Sequence, residues 1–313
     1  MFNKISSKTL TIIFVVLLVL AAIYIYYDSS HEERSFKRNI VNIDTSKVTA
    51  ISIFPKATNH KEVKIFKEGK SWQVQLSNNN SVPADNSKIK NLLNQLIQVK
   101  ANSVAAQDES KWKELQVDSS GTRVKVYEGN DNTLDMVLGK FSYQQPRTML
   151  TYVRVKGDKD VYEVNGFLEF SFNQKPDYFR NNTIVNDDLS HWNRLTFTYP
   201  ADSSFQLIKD TTNGWKINKI KIDSSKTVNF LRTLSHLSGT GFIDNPDESL
   251  LSKAAYTLTI ESSAFGAITL SAYIDSTNYL IHSSLNPDAY FNGKTNDLWK
   301  KIFVGKHYFS KKK

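Results

Sequence analysis

The chain has 313 residues, of which 40% are hydrophobic and 12% aromatic, enough apolar material for packed cores, so general disorder is excluded. It has no cysteine, which excludes disulfides, thiolate metal ligands and cysteine nucleophiles together. The formal charge is +9, but basic residues alternate with carboxylates nearly everywhere and the one dense run, Lys311 to Lys313, reads as a solvated tail, so no nucleic-acid partner is expected.

Residues 9–27, "TLTIIFVVLLVLAAIYIYY", carry no charge and no helix breaker. As a helix they extend roughly 28 Å, which matches a hydrocarbon core of about 30 Å and predicts one transmembrane anchor. Tyr24, Tyr26 and Tyr27 gather at one end, where amphipathic rings prefer the interface. The run outlasts a signal-peptide core and lacks a clean small-x-small cleavage site, so the anchor is expected to stay. Residues 1–8, with Lys4 and Lys8, then form a short cytoplasmic tail. This predicts a single-pass protein of the cell inner membrane that meets the bilayer through residues 9–27 and holds its bulk in the periplasm. The polar residues 28–46 read as a juxtamembrane linker.

From Val48 the pattern turns to short alternating runs. "VTAISIF" is followed by "EVKIFKEGKSWQVQL", with a turn at Glu68-Gly69 and then Trp72, Val74 and Leu76 on one face. After "NNNSVPAD" the period lengthens, and Ile89, Leu92, Leu93, Leu96 and Ile97 define the apolar face of a helix capped by Asp85, Asn86 or Ser87. "TRVKVYE", "TLDMVLG", "MLTYVRV" and "DVYEV" supply later strands.

The same order returns in "NRLTFTY", "SFQLIKD", a strand beginning at Trp215, and a helix capped by Asp223, Ser224 or Ser225. Val228, Leu231 and Leu234 lie on that helix's apolar face, with Phe230 and Leu237 beside it, and "AYTLTIE", "AITLSAYI" and "NYLIHSS" close the unit. The matched phrases predict an α+β chain. Its transmembrane helix is followed by two tandem related units, 47–180 and 190–313, each of antiparallel strands packed on a helix. The expected boundary lies within 173–192. Trp72, Leu92, Leu93, Leu96, Trp215, Phe230, Leu231 and Leu234 are the expected core anchors.

Chemistry is sparse. The six histidines, His31, His60, His191, His236, His282 and His307, fall in no HExxH or similar frame. "NGKTND" resembles the end of a phosphate loop, but Asp288 stands where the loop needs its first glycine. "SGTGF" follows a helix, so Gly239 reads as a helix C-cap. The pairs Asp187-Asp188 and Asp244-Asp247 read as surface charges near turns. No catalytic residue, metal or cofactor is expected.

"VKIFKEGKSWQV", the capped helix "ADNSKIKNLLNQL", "MVLGKFS" and "YVRVKGDKDVYEV" together resemble the bacterial domain-of-unknown-function family 4340. The resemblance implies a single-span, outward-facing protein encoded beside components of a gliding-motility-type ABC transporter, with no assigned reaction and no catalytic residues to carry over. The expectation is a membrane-anchored extracytoplasmic binding or scaffold protein, accessory to an ABC-type envelope transport complex, and no enzyme. The alternative is an envelope polysaccharide or peptidoglycan hydrolase or lyase using carboxylates from separate strands.

Overall fold

The structure, a computed structural model, describes residues 13–21, 38–76, 80–145, 148–210, 214–218, 222–275 and 278–311. The tail 1–8, the ends of the predicted span 9–27 and most of the segment 28–46 lie outside the described residues. Within the span, residues 13–21 form helix α1 and their side chains are exposed. Among the described residues no helix is long and apolar enough to cross a membrane.

The described chain is α+β, with two antiparallel sheets of nine and seven strands and a few helices, among them the short α4 (Glu169–Phe172) and α5 (Pro176–Phe179). The first comprises β1 (Val48–Phe54), β2 (Val63–Glu68), β3 (Ser71–Gln75), β4 (Ser81–Pro83), β5 (Ala101–Ala106), β6 (Thr122–Glu128), β7 (Asp131–Gln144), β8 (Thr148–Val155) and β9 (Val161–Asn165). Its order is β4-β3-β2-β1-β6-β7-β8-β9-β5. The second comprises β10 (Trp192–Thr198), β11 (Phe205–Lys209), β12 (Trp215–Lys216), β13 (Tyr256–Ser262), β14 (Gly266–Asp275), β15 (Asn278–Ser283) and β16 (Asn286–Asn292), in the order β12-β11-β10-β13-β14-β15-β16.

By density of contacts the chain falls into two compact units, 1–62 with 92–174 and 63–91 with 175–313. Residues following β4 bond to the chain near residue 180: Asp85 donates its backbone N–H to Phe179 O at 2.8 Å and Asn181 donates to Pro83 O at 2.8 Å. The first unit also takes in part of the expected linker, because Ile40 and Val41 are buried and Ala101 N–H donates to Arg38 O at 2.9 Å.

Strand alternation sets the cores. In β6 Thr122, Val124 and Val126 point inward, and in β13 Leu258, Ile260 and Ser262 do so. Period-two burial of this kind is what places one face of a strand against a core. The second unit's core gathers Trp192, Phe197, Phe291 and Phe309 around α6 (Ser224–Ser235); Phe230 of that helix meets the Phe309 ring edge-on at 5.2 Å. Each such fully buried large apolar side chain contributes about 1.5–3 kcal/mol. Helix α6 starts where Asp223 accepts from Lys226 N at 3.0 Å, and α2 (Asn86–Ile97) where Asp85 accepts from Ser87 N at 3.0 Å.

Two residues of the predicted helical faces turn outward, since Ile97 and Val228 are both exposed. Gly239 does not cap α6, whose C-cap is His236. It is small because of a close approach, in which a Cβ there would meet the Phe291 ring at 2.4 Å. Among the described residues all four sheet edges are short or interrupted. β4 has three residues ending in Pro83, β12 has two, β5 slips register twice against β9, and β16 is bridged by Phe242.

Candidate functional site

In the first unit the outward positions of β6, β7 and β8 carry charge. Register places Arg123 beside Val137 and Val137 beside Arg154, with Lys125 beside Asp135 in the next row. Lys156 follows β8 and donates its backbone N–H to Asp135 O at 2.8 Å. Because successive side chains alternate faces, these residues share one side of the sheet. Arg123, Asp135, Val137, Arg154 and Lys156, but not Lys125, line a cleft of about 460 Å³ closed by Phe54 and by Asp118 and Ser119 of the turn before β6. His60, with φ of 59°, also lines it.

Asp135 is tied down. Arg123 grips it in a bidentate fork, Nε to Oδ1 at 2.8 Å and a terminal nitrogen to Oδ2 at 2.6 Å, and Lys156 Nζ lies 3.7 Å from Oδ2. Desolvation raises the Asp135 carboxyl, but the Arg123 hydrogen bonds and the charges of Arg123, Lys125 and Lys156 outweigh it and hold the group below its ordinary value.

Arg154 is held differently. Its guanidinium carbon stacks 3.8 Å from the centre of the Trp112 ring on α3 (Trp112–Leu115), and Nε donates to Val117 O at 3.0 Å. Among the described residues no carboxylate lies within ion-pair distance of it. Desolvation lowers its pKa, only partly opposed by the more distant charges of Glu109, Asp118 and Asp135. A positioned cation without a bonded anion can receive one from solution.

The same unit shows an apolar patch. Phe141, Tyr143, Met149, Phe167 and Phe170 are all exposed, Tyr143 pairs with Met149 across the β7–β8 ladder, and the Phe141 and Phe167 rings are 4.8 Å apart. Isolated exposed rings are ordinary; these are set apart by the contacts of the Phe167 ring with Phe141 and, at 6.2 Å, with Phe170.

In the second unit Asp187 is buried, so it is no surface charge. It sits 2.6 Å from His191 Nδ1, accepts from Trp192 Nε1 at 2.7 Å and is also hydrogen bonded by Ser262. Burial raises its carboxyl, but these three donors bring it below its ordinary value. Asp188 accepts from Ser190 N at 2.8 Å, Asp247 accepts from Ser249 N at 2.9 Å, and Asp244 pairs with the buried Arg180 at 2.7 Å. The two sequence pairs are thereby engaged in caps and ion pairs, and they do not converge on one cleft. Among the described residues no group of His, Asp and Glu could hold a metal ion.

Of the expected anchors, Leu92, Leu93, Leu96, Phe230, Leu231 and Leu234 are buried, while Trp72 and Trp215 are partly buried. Lys67 Nζ lies 5.1 Å over the Trp72 ring. Sequence reading missed Trp192, which is wholly buried, and the cleft. Its signal was present in "TRVKVYE" and "YVRVK", where cations take every second position of two strands flanking β7.

A family model described as Domain of unknown function (DUF4340) matches residues 72–259, more than half of the 313. No curated protein and no solved structure matches the chain.

Proposed function

The chain belongs to the DUF4340 family, and from that premise we propose a membrane-anchored extracytoplasmic binding or scaffold protein, accessory to an ABC-type envelope transport complex and without catalytic activity. What carries the reading is α1. Its residues 13–20 are large and apolar without interruption, and each side chain is exposed, from 48% to 63%. A helix apolar on every side is unfavourable in water, at about 25 cal/mol per Å² of apolar surface, and is matched by lipid. Extension of the span over 9–27, the inner-membrane location and the periplasmic bulk are parts of the same proposal.

The exposed aromatic patch around Phe141 and Phe167 supports a binding role, as an apolar surface available to a membrane partner. Tethering raises the effective concentration of such a surface near the bilayer.

We also infer that the two sheets arose by duplication of one unit. The order β3-β2-β1-β6-β7-β8-β9 corresponds strand for strand to β12-β11-β10-β13-β14-β15-β16. β1, β6, β10 and β13 each have seven residues, and α2 and α6 each have 12. Both central ladders shift register just after their first residue, at Val48/Ala50 and at Trp192/Arg194. Trp72 faces Lys67 in one hairpin and Trp215 faces Lys209 in the other. Such agreement in bulges and pairing goes beyond what a shared fold class requires.

The test is fractionation and copurification. The full chain should stay with membranes after alkaline washing, a form lacking residues 1–27 should be released, and mild detergent extracts should yield the full chain with ABC-type membrane components. Release of the full chain by the wash, or its recovery alone from those extracts, overturns the reading.

A further inference from the structure

We propose that the cleft of the first unit binds the carboxylate of a sugar acid, with Arg154 as the principal anchor. The inference is independent of the membrane reading. Arg154 is fixed before any ligand arrives, by its stack on Trp112 and its Nε bond to Val117 O, so little side-chain freedom is lost on binding. Its terminal nitrogens donate to no carboxylate among the described residues, and a planar guanidinium edge fits a carboxylate fork.

Charge selects the class. Arg123 and Asp135 neutralise each other in their bidentate pair, leaving Arg154 and Lys156 against Asp118 among the charged lining residues. That surplus of one positive charge suits a single carboxylate better than a phosphate dianion. The remaining wall is mixed, as a hydroxylated ring requires. Ser119 and Asp118 offer acceptors for hydroxyl groups, and Phe54 gives an apolar face. A volume of about 460 Å³ accommodates one or two sugar rings.

The experiment is calorimetric titration of the full chain in detergent with digalacturonate, glucose and inorganic phosphate. Digalacturonate should saturate one site while glucose gives no heat and phosphate binds more weakly. Arg154→Gln should weaken binding about tenfold or more, the effect of losing a charge-assisted pair. Arg154 also packs locally, so Lys156→Gln provides the second variant: its side chain is 67% exposed, and the change should weaken binding several-fold with the unfolding temperature unchanged. No digalacturonate binding, equal binding of glucose, tighter binding of phosphate, or wild-type affinity in both variants overturns the proposal.

Discussion

Trp192 donates its indole N–H to Asp187 at 2.7 Å, so the largest wholly buried side chain of the second unit is fastened to a carboxylate whose own side chain is 1% exposed. The aromatic body fills the core while its one polar atom is satisfied, the condition on which a buried tryptophan depends. Asp187→Ala leaves that N–H without its acceptor. The expected loss is about 1–3 kcal/mol at neutral pH, measured by urea unfolding.

The same pair sets a pH dependence. The Asp187 carboxyl lies below its ordinary value in the folded chain, so ionised Asp187 stabilises the fold above the unfolded value of about 4, and that contribution disappears as pH falls through the folded value. The gap in unfolding free energy between wild type and Asp187→Asn should therefore be full at pH 7 and narrow below about pH 4. A gap independent of pH down to 2.5 would refute this assignment.

Arg180 is buried beneath the Phe242 ring, 3.7 Å from its centre, and bonds Asp244 at 2.7 Å and Asp177 at 3.0 Å. Both carboxylates are largely solvent-exposed, at 40% and 61%, so solvent screens each pair. Asp244→Asn should cost at most about 1 kcal/mol, and Arg180→Ala more, because it also removes the packing on Phe242. Thermal unfolding of the two variants should rank them in that order.

Gly139 sits where a Cβ would come within 2.2 Å of Leu115 O and 2.7 Å of Val117 Cγ1. Neither neighbour is the free end of a flexible chain. Gly139→Ala should therefore destabilise by about 1–3 kcal/mol, as overpacking does, with a lower unfolding temperature as the measure.

The helices α2 and α6 offer a matched comparison. Leu96 and Leu234 are both wholly buried on helices of equal length, so Leu96→Ala and Leu234→Ala should each cost about 2–5 kcal/mol. Ile97→Ala and Val228→Ala, on exposed positions of the same helices, should each stay within about 0.5 kcal/mol. Equilibrium unfolding of the four variants checks both expectations.

Period and capping made the α+β class legible, because they are local. Asp223 before α6 and the alternation of Leu258 with Ile260 declare themselves within a few residues. What escaped depended on pairing between distant segments. Ile97 and Val228 satisfy a helical apolar stripe in sequence, yet only neighbouring elements decide how wide the covered stripe is. Asp187 looked like one of two turn carboxylates until the fold carried Ser262 to it and turned its near neighbour Trp192 into the core. The cleft required three strands in register, and nothing in "TRVKVYE" alone says that Arg123 stands in the same row as Arg154.

The blunted borders of the two sheets limit how another molecule can approach. A visiting peptide that extends a sheet needs a long, flat run of unmatched amides and carbonyls, and the three-residue β4, the two-residue β12, the twice-slipped β5 and the bridged β16 each deny it one. Among the described residues, what is left open to a visitor is the side chains on the sheet faces, and edge-to-edge pairing between copies meets the same obstacle.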